Sequence, residues 1–187
     1  MEIKTFSISG PVLLRPRRFP DARGYFVETY SEKTFAKAGI AAIFVQDNQS
    51  YSISRGTIRG LHFQLPPAPQ AKLVYVLRGS VYDVAIDLRA GSPTYGRWIS
   101  ETLTAAGGEQ LFVPRGFAHG LCTLERDTEV AYKVDAPYAP ECDSGLVWND
   151  PTLAIPWPVA PGAAVLSDKD RKLGLFRDFV SPFRYGE

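Results

Sequence analysis

The sequence predicts one all-β domain, a jelly-roll β-barrel with short flanking helices. Three observations lead there. The middle of the chain is a series of short runs rich in Val, Ile, Leu and Tyr. Gly- and Pro-containing punctuation separates those runs at the spacing of a sandwich or barrel. The 187 residues suffice for one sizeable core and are too few for two comfortable ones.

In chain order, the first regular element expected is a helix over Ser31–Ala38, with Ser31 as its cap and Gly39 as its stop. Strands are expected at Lys72–Leu77, Val81–Leu88, Trp98–Leu103, Gln110–Val113 and Glu129–Val134. Arg78-Gly79, Ala90-Gly91-Ser92-Pro93 and Ala106-Gly107-Gly108 divide them. From Asp150 the chain is rich in Pro and Trp and reads as coil laid over the barrel, with a short helix at Ser167–Leu175 capped by Ser167. Internal repeats, low-complexity segments and linkers are absent from the sequence.

Composition narrows the function classes. A net charge of +1 gives no global electrostatic case for nucleic acid or an anionic membrane. Any phosphate binding must come from a few placed arginines. The beginning, MEIKTFSISG, lacks the basic and apolar regions of a signal peptide, and no apolar run approaches a membrane span. Cys122 and Cys142 make no disulfide framework and no CxxC pair, so reduced thiols and a cytoplasmic location are expected.

Only two histidines are present. His119 stands in Pro114-Arg115-Gly116-Phe117-Ala118-His119, which matches the P-x-G-x-x-H half of the cupin pattern. Gly56, five residues and His62 match the start of the other half. Each match is weak alone; together, in a β-rich chain of this size, they point to a cupin barrel. Metal-binding cupins continue the first half as H-x-H, but here the second position is Gln64. A three-histidine site is therefore impossible, and two histidines with a carboxylate remain as the metal alternative. His62 lies beside Arg59, Gln64 and Lys72, too polar a set for a packing site.

Alternation along a strand puts His62 and Gln64 on one face, and Lys72, Val74 and Val76 on one face. Arg59 has the opposite parity to His62. It faces the same way only if a bulge or turn at Gly60 re-aims it.

A longer set of strings is specific. It runs Phe19-Pro20-Asp21-Ala22-Arg23-Gly24-Tyr25-Phe26-Val27-Glu28, Gln46-Asp47-Asn48-Gln49-Ser50 and Ile58-Arg59-Gly60-Leu61-His62-Phe63-Gln64. It continues through Gln70-Ala71-Lys72-Leu73-Val74, Asp83–Arg89, Ser92-Pro93-Thr94-Tyr95-Gly96 and Val113–Gly120. Tyr132-Lys133, Trp148-Asn149-Asp150-Pro151 and Leu166-Ser167-Asp168-Lys169-Asp170 complete it. In these strings the chain resembles the dTDP-4-dehydrorhamnose 3,5-epimerase family over essentially its full length.

The resemblance implies a homodimeric cupin-type jelly roll with neither metal nor organic cofactor. It implies dTDP-4-dehydro-6-deoxy-D-glucose as substrate, inverted at C3 and C5 to the L-sugar precursor of rhamnose. By family match His62 is the base, Asp170 pairs with it, Lys72 stands near the keto oxygen, and Tyr132 returns a proton from the opposite face. Read alone, Asp170 is a surface charge, Lys72 an exposed strand lysine and Tyr132 a core aromatic. Arg23 and Arg59 are the natural diphosphate ligands, since guanidinium pairs bidentately with phosphate oxygens. Phe26, Glu28, Gln46 and Asn48 match positions that hold base and sugar. His119 is a further substrate contact, and Asp143 and Lys169 match positions near the nucleotide. The segment carrying Arg23 and Glu28 is expected to reach the partner subunit's site.

Two positions depart from the family. After Gln64 the loop reads Leu-Pro-Pro-Ala-Pro-Gln, where many members have a histidine after the prolines. Asp143 stands where glutamate is usual, which shortens its reach. The competing readings are a C3-only or C5-only epimerase, a non-catalytic sugar-binding cupin, and a metal-dependent cupin oxygenase or isomerase. The proton-transfer set argues against the second, and Gln64 with the histidine count argues against the third.

Overall fold

The computed structural model describes residues 1–186. Thirteen strands form: β1 Glu2–Thr5, β2 Val12–Arg15, β3 Arg18–Asp21, β4 Gly24–Val27, β5 Gln46–Ser52, β6 Ile58–Gln64 and β7 Lys72–Arg78. They continue as β8 Ser80–Asp87, β9 Trp98–Thr104, β10 Gln110–Val113, β11 Phe117–Thr123, β12 Thr128–Val134 and β13 Asp143–Gly145. A six-stranded sheet runs β1-β2-β10-β7-β12-β5, and a five-stranded sheet runs β13-β6-β11-β8-β9. All their strand pairs are antiparallel. Strands β3 and β4 make a separate hairpin.

Each strand's alternation explains the sandwich. On β8, Val81 and Ala85 turn inward to a core shared with Val74, Val76, Leu103, Leu121 and Val130. Val84 and Ile86 turn outward, yet they are buried too, because the C-terminal segment packs Leu153, Ile155 and Phe183 over them. A strand covered on both faces reads as a continuous apolar run, and VYDVAID does so apart from its two aspartates. Helix α1, Glu32–Lys37, covers the outer face of the other sheet, with Phe35 and Ile40 against Leu14, Leu73 and Phe112. Ser31 holds its N-cap position but makes no side-chain cap bond.

Two expectations change. The segment Ser167–Leu175 is no helix; it holds a single 3-10 turn at Asp170–Lys172. Ser167 still accepts the Asp170 backbone N–H at 3.1 Å. Beyond the turn, Gly174 bridges to Leu146, so the chain is drawn out along the sheet edge and cannot continue a helical ladder. The second change is that β1–β6, β11 and β13 lie outside the apolar runs expected as strands. Turn residues or functional polar residues interrupt their apolar pattern.

Asp87, the last residue of β8, anchors a polar clasp. Its carboxylate, fully buried, accepts two bonds from the Arg89 guanidinium, both at 2.8 Å, and one each from Ser92 Oγ and Thr94 Oγ1. The same guanidinium donates to the Ser9 carbonyl and lies over the rings of Phe117 and Tyr185. Burial alone would raise the Asp87 pKa; the bonds from Arg89, Ser92 and Thr94 outweigh it and hold it at about 2. A carboxylate lowered on folding stabilises the fold above its unfolded pKa and loses that contribution as pH falls toward the folded one. We therefore expect the Asp87 contribution to be complete above about pH 4 and lost toward pH 2. Asp87→Ala strands the Arg89 charge and should cost roughly 3–5 kcal/mol in urea unfolding at neutral pH.

Candidate active site

Between residues of the two sheets lies a cleft with two chambers that share four lining residues. The outer one is about 360 Å³ and includes Gln46, Asn48, Tyr138 and Asp143 in its lining. The inner one is about 220 Å³ and includes Arg59, His119, Leu121 and Asp170. His62, Lys72, Tyr132 and Lys169 line both.

His62 comes from β6 of the five-stranded sheet. Its Nε2–H donates to Asp170 Oδ1 at 2.5 Å, which leaves Nδ1 as the ring nitrogen with a free lone pair. Asp170 has a side-chain exposure of only 5%, against 29% for His62. Burial would raise the Asp170 carboxyl, but the His62 bond and charge, with Ser167, hold it below its ordinary value. The turn expected to carry a surface aspartate therefore buries it behind the histidine.

Arg59 reaches the same cleft because the strand is bulged. Residue His62 pairs with His119, but Arg59 pairs with Leu121, so three steps on β6 match two on β11. Gly60 sits at the irregularity with φ +122°, and a Cβ there would stand 2.6 Å from the Gly120 Cα. Only glycine fits. Arg59 Nε donates to Ser52 Oγ at 3.2 Å and one terminal nitrogen to the Tyr51 carbonyl at 2.9 Å. The guanidinium is thereby fixed with its remaining donors available.

Lys72 and Tyr132 face His62 from the six-stranded sheet, on the adjacent strands β7 and β12. Burial pushes the Lys72 amine down to about 8, even though Asp143 and Asp83 oppose the shift. Burial raises the Tyr132 phenol, so it stays protonated at neutral pH. His119, on β11, donates from Nε2 to Asp83 Oδ1 at 2.8 Å.

Around the outer chamber, Gln46 Nε2 donates to Asn48 Oδ1 at 2.8 Å, and Gln46 Oε1 accepts the Tyr138 backbone N–H. Asp143 Oδ2 accepts from Tyr138 Oη at 2.8 Å and pairs with Lys169 Nζ. These contacts outweigh burial and hold the Asp143 carboxyl low, while Asp143 raises Lys169 against the opposing effect of burial. Gln64 is engaged otherwise: it donates to the Ala68 carbonyl and accepts the Ala139 N–H, tying two loops together. Among the described residues no group of three His, Cys, Asp or Glu side chains converges as for a metal ion.

Ten of the thirteen sequence candidates thus meet at one cleft. Arg23, Phe26 and Glu28 do not. Arg23 lies in the β3–β4 turn, its side chain 90% exposed and paired with Asp21. Phe26 is 70% exposed on β4, and Glu28 accepts a bond from Thr34. Tyr138, in the lining of the outer chamber, was not among the sequence candidates. Tyr138 gave a signal, an exposed aromatic in the proline-rich turn Pro137-Tyr138-Ala139-Pro140. Asp83, the buried partner of His119, was not a candidate either; its signal is a carboxylate inside a strand buried on both faces.

A protein-family model described as dTDP-4-dehydrorhamnose 3,5-epimerase matches residues 5–178. The chain belongs to that family. A dTDP-4-dehydrorhamnose 3,5-epimerase of Sinorhizobium fredii is 49% identical over 185 residues, covering 99% of this chain and 94% of that protein. The crystal structure of the Bacillus anthracis 3,5-epimerase, with TDP and PPi bound, is 50% identical, with a TM-score of 0.90 over 93% of this chain and 98% of that one. The Legionella pneumophila 3,5-epimerase, in complex with dTDP-4-keto-L-rhamnose, gives a TM-score of 0.93 at 38% identity over 100% of this chain and 99% of that one. The 3,5-epimerase fold is thus the fold of the whole described chain, cupin-type and mostly β. Among the described residues no helix is long and apolar enough to cross a membrane.

Proposed function

We propose that this chain inverts C3 and C5 of dTDP-4-dehydro-6-deoxy-D-glucose, giving dTDP-4-dehydro-L-rhamnose for dTDP-rhamnose synthesis. One observation carries the mechanism: the candidate base and the candidate acid come from opposite sheets. His62 stands on β6, and Tyr132 and Lys72 stand across the cleft on β12 and β7. A sugar ring lying between the sheets has one face toward each.

Both stereocentres adjoin the C4 ketone, so removing either proton gives an enolate. His62 Nδ1 takes the proton, and Asp170 fixes the tautomer and stabilises the imidazolium. Lys72 holds the developing oxyanion, favouring the transition state over the ground state. Tyr132 delivers a proton to the other face. With its amine at about 8, Lys72 supplies a cation below that pH and loses it above, so activity is expected to decline on the alkaline side.

Arg59 and Lys169 offer cations to the diphosphate, His119 a further sugar or phosphate contact, and Gln46, Asn48, Asp143 and Tyr138 surround the nucleoside. Arg23, Phe26 and Glu28 belong to a second copy's site in a homodimer. Their exposure on a hairpin outside their own cleft supports that reading.

The test is the purified protein, treated with chelator, given dTDP-4-dehydro-6-deoxyglucose in deuterated water and followed by NMR. Exchange and inversion at both carbons are expected, since Gln64 denies the site its second H-x-H ligand. Inversion at a single carbon would reassign the chain to the monoepimerases. Activity lost to chelation and restored by one metal would make it a metal-dependent cupin.

A further inference from the structure

Arg59 is held by neutral oxygens. Its Nε–H donates to the Ser52 hydroxyl and its Nη2 to the Tyr51 carbonyl. Arg15, Arg23, Arg89 and Arg115 each meet a carboxylate, whereas Arg59 has no such ion pair among the described residues. Its charge is therefore not spent inside the protein.

The two bonds also choose an edge of the guanidinium. The group presents its N–H donors in a rigid planar fork. Nε–H and the neighbouring Nη2–H form the side edge, and β5 takes both. The end edge remains, with one N–H each from Nη1 and Nη2. That edge matches two oxygens of a phosphate. Arg59 lines the inner chamber.

The strand that receives Arg59 belongs to the other sheet. β6 lies within the five-stranded sheet, and β5 is the edge of the six-stranded one. The bulge at Gly60 re-aims Arg59, and β5 catches it. Along β5 the side chains of Gln46, Asn48, Ser50 and Ser52 alternate inward; the first three are half-buried and Ser52 is 5% exposed. The Ser52 hydroxyl has no other side-chain partner among the described residues and lines neither chamber. A hydroxyl buried there without the guanidinium would carry an uncompensated desolvation cost.

We infer that Ser52 is a positioning residue for recognition of the substrate's diphosphate, fixing Arg59 by its side edge so that the end edge meets the phosphate charged and already oriented. The Tyr51 carbonyl supplies the second point of attachment. With Ser52 truncated, the guanidinium keeps its charge but turns about a single anchor, and part of the orientation must be gained on binding. The inference rests on the role proposed for Arg59.

The test is calorimetric titration with dTDP and with thymidine, which has no phosphate. The proteins are wild type, Ser52→Ala, Arg59→Met and the double variant. Ser52→Ala should weaken dTDP by about three- to tenfold, the usual range for one net hydrogen bond, and leave thymidine unchanged. Arg59→Met should weaken dTDP further, and adding Ser52→Ala to it should change nothing more. Unchanged dTDP affinity in Ser52→Ala overturns the positioning role. So does an equal loss for thymidine, or a Ser52→Ala effect that persists in full without Arg59. Unchanged dTDP affinity in Arg59→Met overturns instead the phosphate role of Arg59. A wild type that binds no dTDP overturns the proposed function itself.

Discussion

His62→Ala is expected to abolish deuterium exchange at both C3 and C5. His62 and His119 each pair Nε2 with a buried carboxylate, but His62 lines both chambers beside Lys72 and Tyr132 and is the more open of the two rings, 29% exposed against 10%. The two carbons flank the same ketone, so one base between the sheets can serve both after a change of ring pose. Loss of a general base alone typically costs about 10²–10⁴-fold. Here the loss should be at the upper end, because Lys72 has no oxyanion to stabilise until the proton leaves. Asp170→Ala should be milder: the imidazole remains, with its tautomer and imidazolium unsupported. The measurement is the initial rate of solvent exchange at each carbon. Near-normal exchange in His62→Ala would transfer the role of base to another group, with His119 the first to examine.

Tyr132→Phe should separate two events that the wild type couples. Inversion requires that the proton leave one face and return to the other. If His62 did both, configuration would be retained. The phenol stands on the opposite sheet, and burial keeps it protonated at neutral pH. Phenylalanine keeps the ring that packs against the barrel core and removes only that proton. The variant should therefore still wash deuterium into the substrate while product inversion collapses, most clearly at C5. Exchange and configuration are read from one sample by NMR. If exchange and inversion vanish together in a folded variant, Tyr132 helps to form the enolate; if inversion is unchanged, the ring is packing alone.

The sequence was most informative where a strand has one task. β8 and β10 are almost wholly buried, and their apolar runs announce them. β6 and β5 were obscured because they turn polar side chains into the cleft. Arg59, Gly60 and His62 replace the apolar alternation on one, and Gln46, Asn48 and Ser50 on the other. The family-matching string Ser92-Pro93-Thr94 serves the Asp87 clasp. Asp170 was invisible to local reasoning for a different reason. It lies 108 residues from His62, and only the return of the C-terminal segment over the barrel brings the two together. Asp83 was passed over because spacing reports which face a side chain takes, not that a histidine of the neighbouring strand meets it there.

The bulge at Gly60 also bears on how this site can be inherited or rebuilt. Without it, strict alternation would send Arg59 and His62 to opposite sides of the sheet. The proposed phosphate ligand and the proposed base are thus joined in a single five-residue segment, Ile58–His62, whose irregularity turns both into one cleft. A chimera with a breakpoint inside that segment, or a deletion of one residue there, would keep every functional side chain and still lose one of the two functions. Laboratory recombination within the family should therefore tolerate crossovers in the loops on either side of β6 and select against those within it.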